Sequence, residues 1–93
     1  MADAEFEWDD KKAAANLAKH KVSFEVAREA FDDPLAVEWF EGYEYGEERF
    51  NIVGFVAHRL LFVAYTIRNG TTRIISARPA TPHEKRIYHE GKE

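Results

Sequence analysis

The sequence contains no cysteine, only three prolines and five glycines, and no long run of apolar residues. The absence of cysteine excludes disulfide bonds, thiolate metal sites and a cysteine nucleophile, and it is compatible with a reducing cytoplasm. No apolar stretch reaches the roughly 18 residues that a membrane-spanning helix needs. The first residues are acidic, whereas a secretory signal peptide begins with a basic segment. We therefore expect a cytoplasmic protein that does not enter a membrane.

The chain is also too short for more than one hydrophobic core. Its 93 residues include 45% hydrophobic and 14% aromatic side chains, and a chain of this size buries roughly 65% of its unfolded surface. No linker rich in proline or glycine, internal repeat or low-complexity tract divides it. We expect a single domain over residues 1–93, which excludes a doubly wound nucleotide-binding enzyme and a TIM barrel.

The net charge of −4 conceals a strong asymmetry between the two halves of the chain. Residues 1–48 carry 5 Lys/Arg and 14 Asp/Glu, a net of −9, whereas residues 49–93 carry 8 Lys/Arg and 3 Asp/Glu, a net of +5. The basic half favours a polyanionic ligand, and the acidic half favours a basic partner. The alternative is that the acidic half is only a more strongly solvated face.

Hydrophobic periodicity predicts two short amphipathic helices in the first third of the chain, after an extended segment at 6–8. Asp9 is suited to N-cap a helix that ends at about His20. Ser23 is suited to cap a second helix, which ends before Pro34 because proline cannot continue it. Both helices carry too few apolar residues to be stable alone, so each needs a sheet to cover.

From residue 35 onward the apolar pattern changes to that of strands, which we predict at 35–40, 49–56, 60–68 and 72–78. Residues 41–46 are predicted to form an acidic loop, and Asn69-Gly70 a tight hairpin turn, because both residues tolerate positive φ. Thr81, Pro82 and Glu84 open a last helix as N-cap, first helical residue and capping-box partner. The predicted fold class is α+β, with an antiparallel sheet of about four strands, helices on one face and the other face free.

Residue spacing argues against two common kinds of catalytic site. The four histidines lie in different predicted elements without a His-Glu-x-x-His pattern, so we predict no metal site. Ser23 is explained as a helix cap, and Ser76 lies within a strand without the glycine elbow of a nucleophilic serine. No glycine-rich phosphate loop is present.

A cationic segment at the end of the chain is the strongest candidate for chemistry. Arg78 ends the last predicted strand, about three residues before a helix N-terminus, and both features favour phosphate. Metal-independent RNA cleavage needs such groups, because the 2′-hydroxyl must lose a proton while charge on the phosphate is stabilised. Each residue also has a structural explanation: Glu84 as a helix cap, Arg78 as an ion-pair partner, and Arg68 and Arg73 as solubilising charges on an edge strand.

A set of short segments is spread over residues 6–88 in a distinctive order. They are Phe6-Glu7-Trp8-Asp9, Lys12, Asn16, Lys19-His20, Val22-Ser23-Phe24-Glu25, Phe31-Asp32-Asp33-Pro34, Gly46-Glu47-Glu48-Arg49, Tyr65-Thr66, Arg68, and Arg73-Ile74-Ile75-Ser76-Ala77-Arg78-Pro79-Ala80 continuing through Glu84 to Tyr88. This set resembles the BrnT family of bacterial type II toxins. The segments around Trp8 to Phe24 and Ile75 to Arg78 are its most specific parts.

The resemblance implies a RelE-like fold and a ribonuclease that blocks growth by cutting RNA. It also implies a BrnA-type antitoxin, a ribbon-helix-helix protein whose DNA-binding part lets the complex repress its own promoter. The family's active positions fall on Arg68, Arg78, Glu84 and Lys85, where lysine replaces the usual arginine. Lysine keeps the charge but loses the bidentate fork of a guanidinium. Glu44 stands near where the family has a histidine.

We therefore predict an endoribonuclease that needs no metal or other cofactor and works through attack of the ribose 2′-hydroxyl on the scissile phosphate. The predicted catalytic residues are Arg68, Arg78, Glu84 and Lys85, and the predicted RNA-binding residues are Arg73, Arg86, Lys19, His20 and Tyr88. DNA would be contacted only through the antitoxin complex. The alternative is a non-catalytic module of the same fold that binds antitoxin or RNA, which the net charge of −4 favours because RNA-binding domains are usually basic.

Overall fold

A computed structural model describes residues 5–91 and confirms the α+β class. In that part of the chain, three α-helices and one 3₁₀ helix accompany a five-stranded sheet. The elements are β1 (Phe6–Glu7), α1 (Asp10–His20), α2 (Phe24–Ala27), a 3₁₀ helix (Arg28–Asp32), β2 (Val37–Glu44), β3 (Glu47–Val56), β4 (Arg59–Arg68), β5 (Thr71–Pro79) and α3 (Pro82–Glu90).

The sheet is mixed and has one strand more than the sequence predicts. Its order is β1-β5-β4-β3-β2, in which β1 runs parallel to β5 and the other pairs are antiparallel. The extended segment at Phe6 is this fifth strand, and it pairs with Thr72 of β5. The prediction of about four antiparallel strands is therefore wrong in number and direction. A two-residue strand shows no alternation in sequence, so periodicity could not detect it.

The segment predicted as an acidic loop at 41–46 is mostly strand. β2 continues to Glu44 across an irregularity between Phe40 and Gly42, where Gly42 has a φ of 140° that favours glycine. The actual turn is Tyr45-Gly46, with φ values of 54° and 80°. Polar composition suggested a loop, but cross-strand pairing with β3 keeps these residues in the sheet.

Capping residues determine the helix boundaries as predicted. The Asp9 side chain accepts from the backbone N–H groups of Lys11 (2.8 Å) and Lys12 (3.0 Å), and Ser23 Oγ accepts from Val26 N (3.1 Å). The second helix is short, and its chain continues as the 3₁₀ helix to Asp32. The predicted hairpin at Asn69-Gly70 and the capping box that begins α3 are both present.

The main core lies between the sheet and the N-terminal helices. Phe24, Leu61 and Ile74 are fully or almost fully buried there. Gly54 permits close approach of the 3₁₀ helix, because an added Cβ would lie 2.6 Å from the Ala30 carbonyl oxygen. β1 pairs with only two residues of β5. Farther along the same edge of β5, the Asn16 side chain hydrogen-bonds to the backbone in place of a strand, because it donates to Ala77 O (2.8 Å) and accepts from Ala77 N (3.1 Å).

The second face of the sheet is not entirely free, as the sequence had suggested. Helix α3 packs on one end of it, where Tyr88 contacts a small cluster around Val53 and Leu60. The Tyr88 hydroxyl also donates to Asp33 Oδ2 (2.7 Å), and the same oxygen accepts from Phe55 N (2.8 Å). The prediction failed here because the last helix has few apolar residues, and their contacts depend on tertiary structure. The remainder of this face, called the α3 face below, is open.

Candidate active site

Arg78 and Glu84 form a bidentate ion pair where β5 meets α3. Arg78 Nη1 and Nη2 donate to Glu84 Oε1 and Oε2, each at 2.8 Å. The guanidinium also lies over the Phe62 ring, 4.3 Å from its centroid. A two-residue connection between Pro79 and Pro82 brings the strand end and the helix N-terminus together. Arg78 is therefore fixed in one orientation while a third of its side chain remains exposed.

Glu84 has two structural functions at once. It completes the capping box, since Oε1 accepts from Thr81 N (2.9 Å) while Thr81 Oγ1 accepts from Glu84 N (3.2 Å). Burial opposes ionisation of this carboxyl, but hydrogen bonds from Arg78 and Thr81 and the charge of Arg78 outweigh it, so the pKa of Glu84 lies below its ordinary value. Glu84 is therefore ionised at neutral pH and is a weak base.

The ion pair borders a cleft of about 400 Å³ on the α3 face. The sheet contributes aromatic and polar side chains to it, and α3 contributes its first two turns. The lining residues are Trp39, Glu41, Asn51, Phe62, His83, Glu84 and Ile87. Asn51 donates through Nδ2 to Glu41 Oε1 (2.7 Å) and is 8% exposed. The cleft thus combines an aromatic surface with a fixed amide–carboxylate pair, and the lining residues Phe62 and Glu84 both contact the Arg78 guanidinium.

Sequence reasoning missed Trp39, Glu41 and Asn51. One signal was present for Asn51, which is a polar residue at the start of the buried run Asn51–Gly54. Trp39 and Glu41 gave no such signal, because their position depends on β2 pairing with β3. His83 was considered only as a metal ligand.

The other arginines on the α3 face are also paired with glutamates. Strand register places Arg49, Arg68 and Arg73 on the same side of the sheet as Phe62. Their partners are Glu44 (3.2 Å), Glu47 (2.5 Å) and Glu7 (3.2 Å), respectively. β4 is a central strand, so Arg68 is not an edge-strand charge. It lies opposite Thr71, which is roughly 20 Å along β5 from Arg78 at about 3.3 Å per residue.

The remaining predicted site residues of α3 lie away from the cleft. Lys85 lines a separate groove of about 310 Å³ with His58, Arg59 and His89, called the basic groove below. Arg86 is exposed to solvent. Tyr88 is held by its bond to Asp33, and burial together with that hydrogen bond raises its pKa to about 12.

Lys19 and His20 lie at the end of α1, on the layer that covers the opposite face of the sheet. They border a small pocket with Asn16, Ile75 and Ser76 beside the partly open edge of β5. Of the nine predicted site residues, the structure brings Arg78 and Glu84 into contact with each other and leaves the rest in other places.

Residues 5–91 contain neither a metal-ligand cluster nor a helix that could span a membrane. No group of three or more His, Asp or Glu side chains is arranged to hold a metal ion in that range. None of the helices described there is long and apolar enough to cross a membrane.

Comparison with known families determines the assignment. Residues 8–84 match the profile of a family described as the ribonuclease toxin BrnT of type II toxin–antitoxin systems. The chain belongs to this family. No curated protein matches the chain. The resemblance read from the sequence is confirmed, and the chain is a ribonuclease toxin by family.

The extent of the match bears on the site. It covers strands β2 to β5, including Arg78 and the sheet side of the cleft, and it ends at Glu84. Lys85, Arg86 and Tyr88 lie beyond it. The matched range therefore includes the ion pair and the sheet residues of the cleft, but it leaves out Ile87 and most of α3.

Proposed function

We propose that this BrnT-family toxin cleaves RNA in the cleft beside Arg78 and Glu84, through a RelE-like, metal-independent reaction. The observation that carries the proposal is the bidentate pair of Arg78 with Glu84 at a helix N-terminus, on the border of a cleft of about 400 Å³. In this reaction the ribose 2′-oxygen forms a bond to phosphorus while the bond to the 5′-oxygen breaks. The products are a 2′,3′-cyclic phosphate and a 5′-hydroxyl that has taken up a proton.

Arg78 is assigned to the scissile phosphate. Charge accumulates on the non-bridging oxygens in the transition state, and a donor fixed beforehand stabilises that charge without reorganising. Glu84 holds the guanidinium and Phe62 supports one of its faces, so the orientation of Arg78 is determined before RNA arrives. The nearby N–H groups at the start of α3 add a positive dipole end. Glu84 thus acts by positioning Arg78.

His83 is assigned as the proton acceptor for the 2′-hydroxyl. Glu84 is a weak base because its pKa is lowered, and the Tyr88 hydroxyl is bonded to Asp33 with a pKa raised to about 12. His83 lines the cleft next to Glu84, and an imidazole nitrogen can accept a proton. Lys85 lies in the basic groove, where it suits contact with the RNA backbone.

The proposed partners are inferred from membership of the BrnT family and from the charge distribution along the chain. A BrnA-type antitoxin of the ribbon-helix-helix class would neutralise the toxin in the cytoplasm, and DNA would be contacted only through that complex. The first 48 residues carry a net charge of −9 and offer a surface for a basic antitoxin segment. The toxin itself would act as the single domain 1–93.

The proposal is tested by expressing the chain without antitoxin and by treating RNA with the purified protein in a chelator. We expect growth arrest and RNA fragments that end in cyclic phosphate. The folded Arg78→Ala variant is the control and should do neither. Activity that is lost in chelator and restored by a divalent metal would contradict the metal-independent reaction. A folded wild-type protein that binds RNA without cutting it would indicate a binding module instead.

A further inference from the structure

We infer that the cleft is a guanine-binding subsite, which holds one base next to the bond that is cut. This inference rests on the proposed function for its place in the reaction, but base binding can be measured without cleavage. Three sheet residues carry it: Trp39, Glu41 and Asn51. None of them is needed to explain how Arg78 is fixed.

Within residues 5–91, Glu41 differs from the other glutamates of the α3 face in having no cationic partner. Glu7, Glu44, Glu47 and Glu84 each pair with an arginine. Among residues 5–91, the polar side-chain partner of Glu41 is instead the Asn51 amide, which donates to Oε1 at 2.7 Å. Glu41 Oε2 and the second N–H of Asn51 Nδ2 are then left for a ligand. An ionised carboxylate can only accept hydrogen bonds, so a ligand at Glu41 Oε2 should offer an N–H or O–H donor.

The order of these groups matches the Watson–Crick edge of guanine. That edge presents the O6 acceptor, the N1–H donor and the N2–H donor in sequence. The Asn51 N–H can donate to O6, while Glu41 Oε1 and Oε2 accept from N1–H and N2–H. Recognition of an unpaired base on this edge is the usual way in which proteins read single-stranded RNA.

Other bases match this array less well. Uracil can reproduce the first two bonds, but its O2 acceptor would face Glu41 Oε2 and repel it. Adenine and cytosine present an amino donor where the Asn51 N–H lies and an acceptor where Oε1 lies. Because a site built for hydrogen bonds rejects a ligand that leaves them unmade, we expect guanine first, uracil second, and adenine and cytosine last.

Trp39 supplies the aromatic surface that a base needs. It is partly buried and adjoins Phe62, with ring centroids 6.1 Å apart. One face of the Phe62 ring is covered by the Arg78 guanidinium. Trp39 therefore offers the stacking surface, and Arg78 at the other side of Phe62 suits the phosphate of the same nucleotide.

The test measures binding of the four nucleoside 3′-monophosphates by NMR, followed through the Trp39 indole N–H and the Asn51 side-chain amide. We expect guanosine 3′-monophosphate to bind at least tenfold more tightly than the adenosine and cytidine nucleotides. Glu41→Gln should abolish this preference, since a carboxamide offers one acceptor and one donor. Glu38→Gln is the matched control, because Glu38 lies on the same strand but bonds to Tyr65 on the opposite face.

A second readout separates this inference from the proposed function. Mapping of RNA ends should place guanine at one fixed position beside the cut, and Glu41→Gln should relax that preference. Cleavage without any base preference, together with equal binding of the four nucleotides, would overturn the inference and leave the ribonuclease intact. Selective guanine binding without cleavage would support the subsite and contradict the proposed reaction.

Discussion

The cations on the two flanks of helix α3 differ in whether they are paired with a carboxylate. On the cleft flank, Arg78 is paired with Glu84 and supported by Phe62. On the other flank, the basic groove brings together Arg59, Lys85 and two histidines. Neither Arg59 nor Lys85 has an ion-pair partner among residues 5–91.

This difference separates two uses of positive charge. A paired guanidinium loses net attraction for distant polyanions but gains a defined orientation, which is what stabilisation of a transition state requires. Unpaired cations attract RNA at longer range, in a manner that salt screens, and they need no fixed geometry. The basic groove is therefore suited to holding RNA and the cleft flank to reacting with it.

The largest effect should follow substitution of Arg78. Arg78→Ala removes the fixed phosphate donor, so we expect the cleavage rate to fall by on the order of 10²–10³ with the fold intact. Arg78→Lys should recover little, since lysine lacks the bidentate fork. Arg68→Ala is the matched comparison, because Arg68 is also paired with a glutamate but lies far from the cleft. Single-turnover rates measure both, and a loss at Arg68 as large as at Arg78 would contradict the assignment.

Glu84 should be next in effect, and its two functions can be separated. Glu84→Gln keeps an acceptor for Thr81 N, so the free energy of unfolding should change by only about 1 kcal/mol. It removes the charge that holds Arg78, and we expect the cleavage rate to fall by roughly 10². Chemical denaturation and cleavage assays on the same samples measure the two effects. If Glu84→Gln cuts RNA at the parental rate and only Glu84→Ala is impaired, through lower stability, then Glu84 is a cap and nothing more.

Much of the secondary structure around these residues could be predicted from the sequence, because helix caps and tight turns depend on residues close together in the chain. The caps Asp9, Ser23 and Thr81 act on residues two or three positions away, and all were identified. The Asn69-Gly70 turn depends on the φ values of its own residues. The short step from Arg78 to the helix N-terminus was likewise visible, and it placed Arg78 and Glu84 together.

What could not be predicted depends on pairing between distant segments. Trp39 joins the cleft only because β2 pairs with β3, and Glu41 remains in β2 only because the strand continues past Gly42. Lys85 follows Glu84 directly in sequence, yet successive helical residues point about 100° apart, so it faces the basic groove. Family resemblance placed both residues in one site, whereas helix geometry separates them.

The basic groove should contribute moderately to RNA affinity, and this contribution should decrease as the salt concentration rises. We expect Arg59→Ala and Lys85→Ala each to weaken RNA binding several-fold at low salt. Each should also reduce the slope of log K against log salt concentration by about 0.7, the value for one contact to a single strand. Titrations at several salt concentrations measure this, with Lys11→Ala as the control of equal charge on exposed α1. An unchanged slope in both groove variants would show that RNA follows a different path.

The smallest expected effect concerns the hydrogen bond between Tyr88 and Asp33, which helps to hold α3 and both of its flanks against the sheet. Tyr88→Phe removes the hydrogen bond to Asp33, and we expect a loss of about 1 kcal/mol in unfolding free energy, while Tyr43→Phe at an exposed site should change nothing. Because the folded-state pKa of Tyr88 is raised from 10.0 to about 12, its contribution is complete below pH 10 and is lost as the pH rises toward 12. The difference in stability between wild type and Tyr88→Phe should therefore be constant at neutral pH and should shrink across that alkaline range. A difference that stays constant to pH 12 would mean that the Tyr88 hydroxyl is not bonded to Asp33 in solution, and α3 would then be held by its apolar contacts and by the ion pair of Arg78 with Glu84.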